Sequence, residues 1–182
     1  MNTLHVDLHF PKSILREPYN VESFPLKRRH LLEPATHLNF DVLSLLTKAE
    51  FKINQAELFY SQPNFFSGIH SDYCTSDETD ISKINWVIGG AESTMNWYEP
   101  NKFSDTTSIA VDGNIYVGYQ IDEVSLIHST KLHSPSLIQA HVPHNVITLD
   151  EPRWAVSLTL FDTKTKKYAK FAEVVKRLAN YI

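Results

Sequence analysis

An all-β core, closed as a double sheet or a barrel with helices kept to its periphery, is the fold class that three observations predict. Eight short strand-like segments fall between residues 53 and 161. The stretches between them are too short for regular crossover helices, which excludes a doubly wound parallel sheet. Outside that span the hydrophobic period turns helical, at 39–52 and again at 163–182. The 182 residues suffice for a single domain, 1–182, with a β core over 53–161 and a C-terminal helix over 163–182.

The elements follow in order. Residues 3–10, TLHVDLHF, alternate as a short strand, with Leu4, Val6, Leu8 and Phe10 on one face and His5, Asp7 and His9 on the other. Pro11 ends it, and residues 11–37 read as an irregular arm with one short helix and a basic cluster, Lys27-Arg28-Arg29-His30. Asn39 is a capping residue for a helix whose Phe40, Leu43, Leu46 and Ala49 recur at helical spacing. The strands lie at 53–60, 81–88, 94–98, 107–112, 114–121, 136–142, 144–149 and 153–161, rich in Ile, Val, Trp, Tyr and Thr and punctuated by turn formers. Asp112-Gly113 is a hairpin-turn signal. In the last segment Tyr168, Phe171, Val175, Leu178 and Ile182 form an apolar stripe with lysines mostly outside it, as in a helix packed on a sheet.

Composition removes several functions. With 17 Lys+Arg against 21 Asp+Glu the formal charge is −4, which gives no general attraction to a nucleic-acid backbone. Cys74 is the only cysteine, so an intrachain disulfide and a cysteine-rich metal site are excluded, and we read it as a bystander thiol. The first residues lack a basic leader, and no apolar run reaches the roughly 20 residues of a membrane helix, so the expected location is cytoplasmic, with no membrane partner. Gly89-Gly90 lacks the flanking residues of a phosphate loop. The nine histidines are where chemistry is to be sought.

His70-Ser71-Asp72 places an imidazole and a carboxylate two positions apart, on the same side of an extended chain. The pattern occurs a second time as His5-Val6-Asp7, followed by His9, so spacing alone does not choose between them. The C-terminal half adds His144, and nine residues later Arg153, at the start of an apolar strand. There Trp154, Val156, Leu158 and Leu160 share one face, and Arg153, Ala155 and Ser157 the other. An arginine beside small residues packs badly unless that face lines a space holding an anion, which its fork grips bidentately. Two imidazole nitrogens and one carboxylate oxygen form the facial set suited to non-haem Fe(II) with open positions.

The stretch from about 60 to 161 resembles the Fe(II)/2-oxoglutarate-dependent dioxygenases, of the small bacterial and phage, prolyl-hydroxylase-like type. The resemblance rests on IHSD at 69–72, KINWVIGGAESTMNWYEP at 83–100 and SLIQAHVPHNVITLDEPRWAVSLTLF at 136–161. It implies a double-stranded β-helix, the cupin-like jelly roll, over 53–161. It also implies His70, Asp72 and His144 as Fe(II) ligands and Arg153 as the anchor for the distal carboxylate of 2-oxoglutarate. Tyr60 and Asn85 are candidates to hydrogen-bond that cosubstrate. Members with Arg-x-Ser differ from this chain, which has Arg-x-x-x-Ser at Arg153 and Ser157.

The implied activity is hydroxylation of a C–H bond of an amino acid, peptide or protein side chain. Nucleic acid is disfavoured as a partner, with only the Lys27–His30 cluster speaking for it, and the oligomeric state is left open. His141 is the competing ligand for His144. His5, Asp7 and His9 read as the wet face of an edge strand, and His128 and His133 as surface residues in turns. Trp97 and Tyr98 are read as shaping a substrate mouth or as core. Two alternatives remain: a non-catalytic β-helix domain for binding or assembly, and a cupin-like metalloenzyme that does not use 2-oxoglutarate.

Overall fold

The computed structural model describes residues 3–73, 80–101, 107–109, 115–132 and 135–182. Its elements in chain order are β1 (His5–Asp7), β2 (Arg29–Leu31), α1 (Pro34–His37), α2 (Phe40–Lys48), β3 (Phe51–Ser61), β4 (Ile69–Tyr73), β5 (Ser82–Gly89), β6 (Thr94–Pro100), β7 (Thr107–Ile109), β8 (Ile115–Tyr119), β9 (Val124–Thr130), β10 (Ser136–Gln139), β11 (His144–Ile147), β12 (Arg153–Asp162), β13 (Lys167–Tyr168) and α3 (Phe171–Arg177). Cys74, Asp112-Gly113 and His133 lie outside the described residues.

A seven-stranded sheet has the order β1-β10-β5-β12-β3-β2, with β13 added to β12, and a six-stranded sheet has the order β7-β8-β4-β11-β6-β9. Every pairing is antiparallel. Apart from the β7–β8 hairpin, the chain from β3 to β6 steps from one sheet to the other with each strand, and so it does again from β9 to β12. That winding is a double-stranded β-helix, the expected cupin-like jelly roll with peripheral helices.

The apolar faces explain which side of each sheet is covered. Trp154, Val156, Leu158 and Leu160 of β12 alternate outward and join Ala56, Leu58, Ile84, Trp86 and Leu137 in the main core. Val42 and Leu46 of α2, Val174 and Leu178 around α3, and Leu8, Phe10, Ile14 and Leu15 of the arm pack against them. Trp86 Nε1 donates to the Pro11 carbonyl at 3.1 Å, which pins the arm there. A smaller cluster of Ile81, Met95, Trp97, Leu132, Ile138 and Ala140 draws on both sheets. The largest core therefore sits outside the β-helix, and much of the space between the sheets is left to polar side chains.

Several elements depart from the sequence reading. Asn39 caps α2, accepting from the Asp41 amide at 2.8 Å, but the helix ends at Lys48 and β3 begins at Phe51, through Glu50 at φ 63°. Its buried stripe is Val42 and Leu46, one turn apart, whereas Phe40 is 59% exposed beneath the Arg16 guanidinium. The helix expected over 163–182 is confined to 171–177, because Asp162 turns the chain back first. Its Oδ1 accepts from the Lys164 and Thr165 amides at 2.8 and 3.3 Å, and Tyr168 then pairs with Phe161 in β13. His128 lies in β9 rather than in a turn, half-buried against His5 and Trp97. Residues 69–73, not among the expected strands, form β4. Among the described residues no helix is long and apolar enough to cross a membrane.

Asp162 also ties α3 to the sheet, taking Arg177 Nη1 on Oδ1 at 3.1 Å and Nη2 on Oδ2 at 2.6 Å. Arg177 is partly exposed and keeps Glu173 Oε2 at 3.8 Å, so the main loss on removing Asp162 is its charged hydrogen bonds. Asp162→Ala is expected to cost about 2 kcal/mol in urea denaturation; a loss below about 0.5 kcal/mol would place Asp162 among ordinary surface pairs.

Candidate metal centre

β4 and β11 are neighbours, and their register sets His70 directly opposite His144. Period-two alternation puts Asp72 on the same face of β4 as His70, and the Asp72 amide donates to the Ala140 carbonyl at 2.9 Å, locking the strand at that end. His70, Asp72 and His144 each offer one ligand atom, and these atoms lie within 4.8 Å of one another. Among the described residues no other group of three such side chains comes together.

The protonation of this cluster follows from its hydrogen bonds. His70 Nδ1 lies 2.8 Å from the Gly68 carbonyl, and His144 Nδ1 lies 2.9 Å from the Val142 carbonyl. A carbonyl only accepts, so each Nδ1 carries a proton, and in a neutral ring so held Nε2 is the nitrogen with the lone pair. This is the orientation that metal-ligating histidines take from their outer partners. Asp72 Oδ1 is buried without a hydrogen-bond partner, 3.5 Å from His70 Nε2, while Oδ2 accepts from Lys83 Nζ at 2.8 Å. Two imidazoles and a carboxylate oxygen thus converge, each able to offer a lone pair. A divalent cation is the group that such a set suits.

Electrostatics keeps the cluster in that state. Burial alone would raise the Asp72 carboxyl, but the Lys83 ammonium, helped by His70 and His144, brings it down to about 2. Burial lowers His144 to about 4, with His70 adding to the effect and Asp72 opposing it. Burial acts against the Lys83 ammonium as well, yet Asp72 and Glu57 outweigh it and raise Lys83 above its ordinary value. At neutral pH the carboxylate is therefore ionised and His144 is neutral, the forms a metal requires.

Arg153 opens β12 on the face turned toward the other sheet, opposite Ser61 of β3 and Gly89 of β5. It is 5% exposed and has no hydrogen-bond or ion-pair partner among the described residues, and burial alone lowers its guanidinium to about 10. Gly89 and Gly90 make its place possible. They take φ of 71° and 57°, and a Cβ on Gly90 would come within 2.8 Å of the Arg153 Cβ. The glycine pair thus serves a turn and a close approach.

The other expected residues divide. Asn85 lies on the same inner face, opposite Ser157, with its Oδ1 buried and lacking a hydrogen-bond partner. Tyr60 is not brought to this space. It pairs in register with Trp154 and packs against that ring at 4.7 Å, on the outward face, because β3 turns Ser61 and Phe59 inward instead. His141 faces the Ile81 carbonyl and Asp80, away from the cluster. His5 stacks on Trp97 and His128, Asp7 accepts from Ser136 Oγ at 2.8 Å, and His9 is exposed. Trp97 is fully buried opposite His144, and Tyr98 hydrogen-bonds Asn145.

Sequence reasoning missed Lys83, Glu57 and Tyr116. Tyr116 pairs in register with Asp72 and sets its ring edge-on to His70 at 5.5 Å. Glu57 is wholly buried and bonded by Arg29 Nε at 2.6 Å. The available signal was a charge on the inward parity of a strand whose other face is core: Glu57 between Ala56 and Leu58, and Lys83 beside Ile84.

No protein-family model matches the chain, and no curated protein matches it. Similar solved structures include E. coli ycfD, at 15% identity and TM-score 0.34, covering 59% of this chain and 26% of that one. A cupin 2 domain-containing protein from Halorhodospira halophila is 10% identical with TM-score 0.34 over 97% of this chain and 89% of that one. A salicylate 1,2-dioxygenase from Pseudaminobacter salicylatoxidans is 10% identical with TM-score 0.30 over 72% and 24%. The chain spans about a quarter of the length of ycfD. All these scores are low, and the fold assignment stands on the strand order itself.

Buried neutral His144 makes the metal-free protein sensitive to acid. Its folded value of about 4 lies below the unfolded value, so the unfolded chain takes the proton first and stability falls as pH drops from about 6.5 to about 4. The loss attributable to this side chain is expected to reach about 3 kcal/mol. Urea denaturation at pH 7 and pH 4.5 should show a smaller difference for His144→Asn than for the wild type; equal differences would contradict the assignment.

Proposed function

We propose that the chain is an Fe(II)/2-oxoglutarate-dependent oxygenase of the prolyl-hydroxylase-like type that hydroxylates a C–H bond of an amino acid, peptide or protein side chain. The observation that carries this reading is the convergence of His70, Asp72 and His144 on one point between the sheets, with Asp72 Oδ1 unpaired and each imidazole held through its Nδ1. Two nitrogens and one oxygen fit Fe(II) and leave coordination positions open. The buried guanidinium of Arg153, with no anion beside it among the described residues, supports a dicarboxylate cosubstrate over cupin chemistry that lacks one.

In this reading the residues divide the work. His70, Asp72 and His144 hold the metal. Their second atoms, fixed by Gly68, Val142 and Lys83, keep the three ligand atoms aimed inward. Arg153 receives the distal carboxylate, and Asn85 offers a polar contact on the same inner face. Bound together, iron and 2-oxoglutarate supply the oxidising chemistry: O₂ is consumed, 2-oxoglutarate gives succinate and CO₂, and one oxygen atom enters the substrate C–H bond.

A peptide-like substrate is favoured over nucleic acid by the fate of the basic cluster. Arg29 turns inward to Glu57 and His30 bonds the Pro25 carbonyl, which leaves Lys27 and Arg28 as the exposed cations of the cluster, too few for a basic stripe.

Anaerobic titration with Fe(II) and 2-oxoglutarate should produce a weak visible charge-transfer band, and admission of air should then yield succinate. Asp72→Ala and His144→Ala are expected to abolish the band. Arg153→Ala should keep Fe(II) binding and weaken 2-oxoglutarate at least about tenfold, as loss of a buried charged hydrogen bond does. Unchanged 2-oxoglutarate affinity in Arg153→Ala would remove Arg153 from the site.

A further inference from the structure

Beyond the three ligands, the space between the sheets holds a line of alternating charges. Arg29 bonds Glu57, Lys83 Nζ lies 3.6 Å from Glu57 Oε2, and the same nitrogen lies 2.8 Å from Asp72 Oδ2. All but Arg29 are at least nine-tenths buried, so the attractions act with little screening by water. The line ends at the metal site, and Lys83 is its last member before the ligand carboxylate.

From this juxtaposition we infer that Lys83 is a positioning residue that restrains the metal centre: it holds Asp72 Oδ2 away from the ion, and its charge, moderated by Glu57, sets how tightly a divalent cation binds. This rests on the ligand set proposed above and adds a control to it. A carboxylate with both oxygens free chelates an ion through either or both of them. With Oδ2 engaged by an ammonium, Asp72 offers Oδ1 alone, so coordination positions stay available to other groups. The ammonium also opposes the cation directly. Glu57 draws part of that positive charge away from the site, which links the ion to Arg29 on the far side of β3.

The restraint predicts signs that a merely structural lysine would not give. In anaerobic titrations with Co(II), followed through its visible absorption, Lys83→Met should bind about tenfold tighter than the wild type, since a like charge and a competitor for Oδ2 are both removed. Glu57→Gln keeps the lysine but frees its charge, so it should bind roughly threefold more weakly. Circular dichroism reports whether each variant is folded. If Lys83→Met does not fold, Glu57→Gln decides, and an affinity equal to or above the wild-type value overturns the inference. Weaker binding in folded Lys83→Met overturns it as well. Wild-type protein that fails to bind Co(II) would instead refute the metal site itself, so the two failures are distinguishable.

Discussion

A charge taken out of water costs several kcal/mol unless an opposite charge or a full set of hydrogen bonds goes with it, and this constraint orders everything between the two sheets. The β-helix places its largest apolar core on the outside, against α2, α3 and the N-terminal arm. The inward faces of β3, β5 and β12 are consequently free to carry Glu57, Lys83, Asn85 and Arg153. Their pairing is systematic up to two points. At one, two imidazoles and a carboxylate face one another. At the other, a guanidinium has no anion among the described residues. A divalent cation and an anion are the two charges that would complete the pattern.

The same constraint explains features that packing alone leaves odd. Gly89-Gly90 brings the chain against Arg153 so closely that a side chain there would collide with it. Carbonyls of residues two positions before each histidine, Gly68 and Val142, hold the ring tautomers. The backbone thus fixes the chemistry of the imidazoles, and the long side chains fix the charge. Neither set works alone: without Lys83 the Asp72 carboxylate would have both oxygens free, and without the carbonyls the rings would have no preferred nitrogen.

Much of this was legible in the residues. Strand texture between 53 and 161, with no room for crossovers, was enough for the sheet architecture, and alternation in RWAVSLTLF separated Arg153 from Trp154 correctly. Tyr60, a candidate from the resemblance alone, faces outward, and alternation within β12 could not place it until the register, Trp154 opposite Tyr60, was known. Register is a long-range property, as is the pairing of His70 with His144 across seventy-odd positions. Lys83 was passed over because a lone lysine in a strand reads as solvated until its neighbours are seen. Helix lengths failed for a local reason, since Asp162 and Glu50 make tight turns that hydrophobic periodicity does not register. Hydrophobic spacing finds faces; it does not find caps or partners.

The most direct test of the central claim is a long-range ¹H–¹⁵N correlation spectrum of the imidazoles in metal-free protein, repeated during addition of Zn(II). Both rings should carry a proton on Nδ1, and His144 should be neutral at neutral pH. Zn(II) should then shift the Nε2 resonances of His70 and His144 together, at one equivalent, while those of His5 and His128 stay in place. A proton on Nε2 of His144 at neutral pH, or Zn(II) shifts that fall on other histidines, would contradict the metal site.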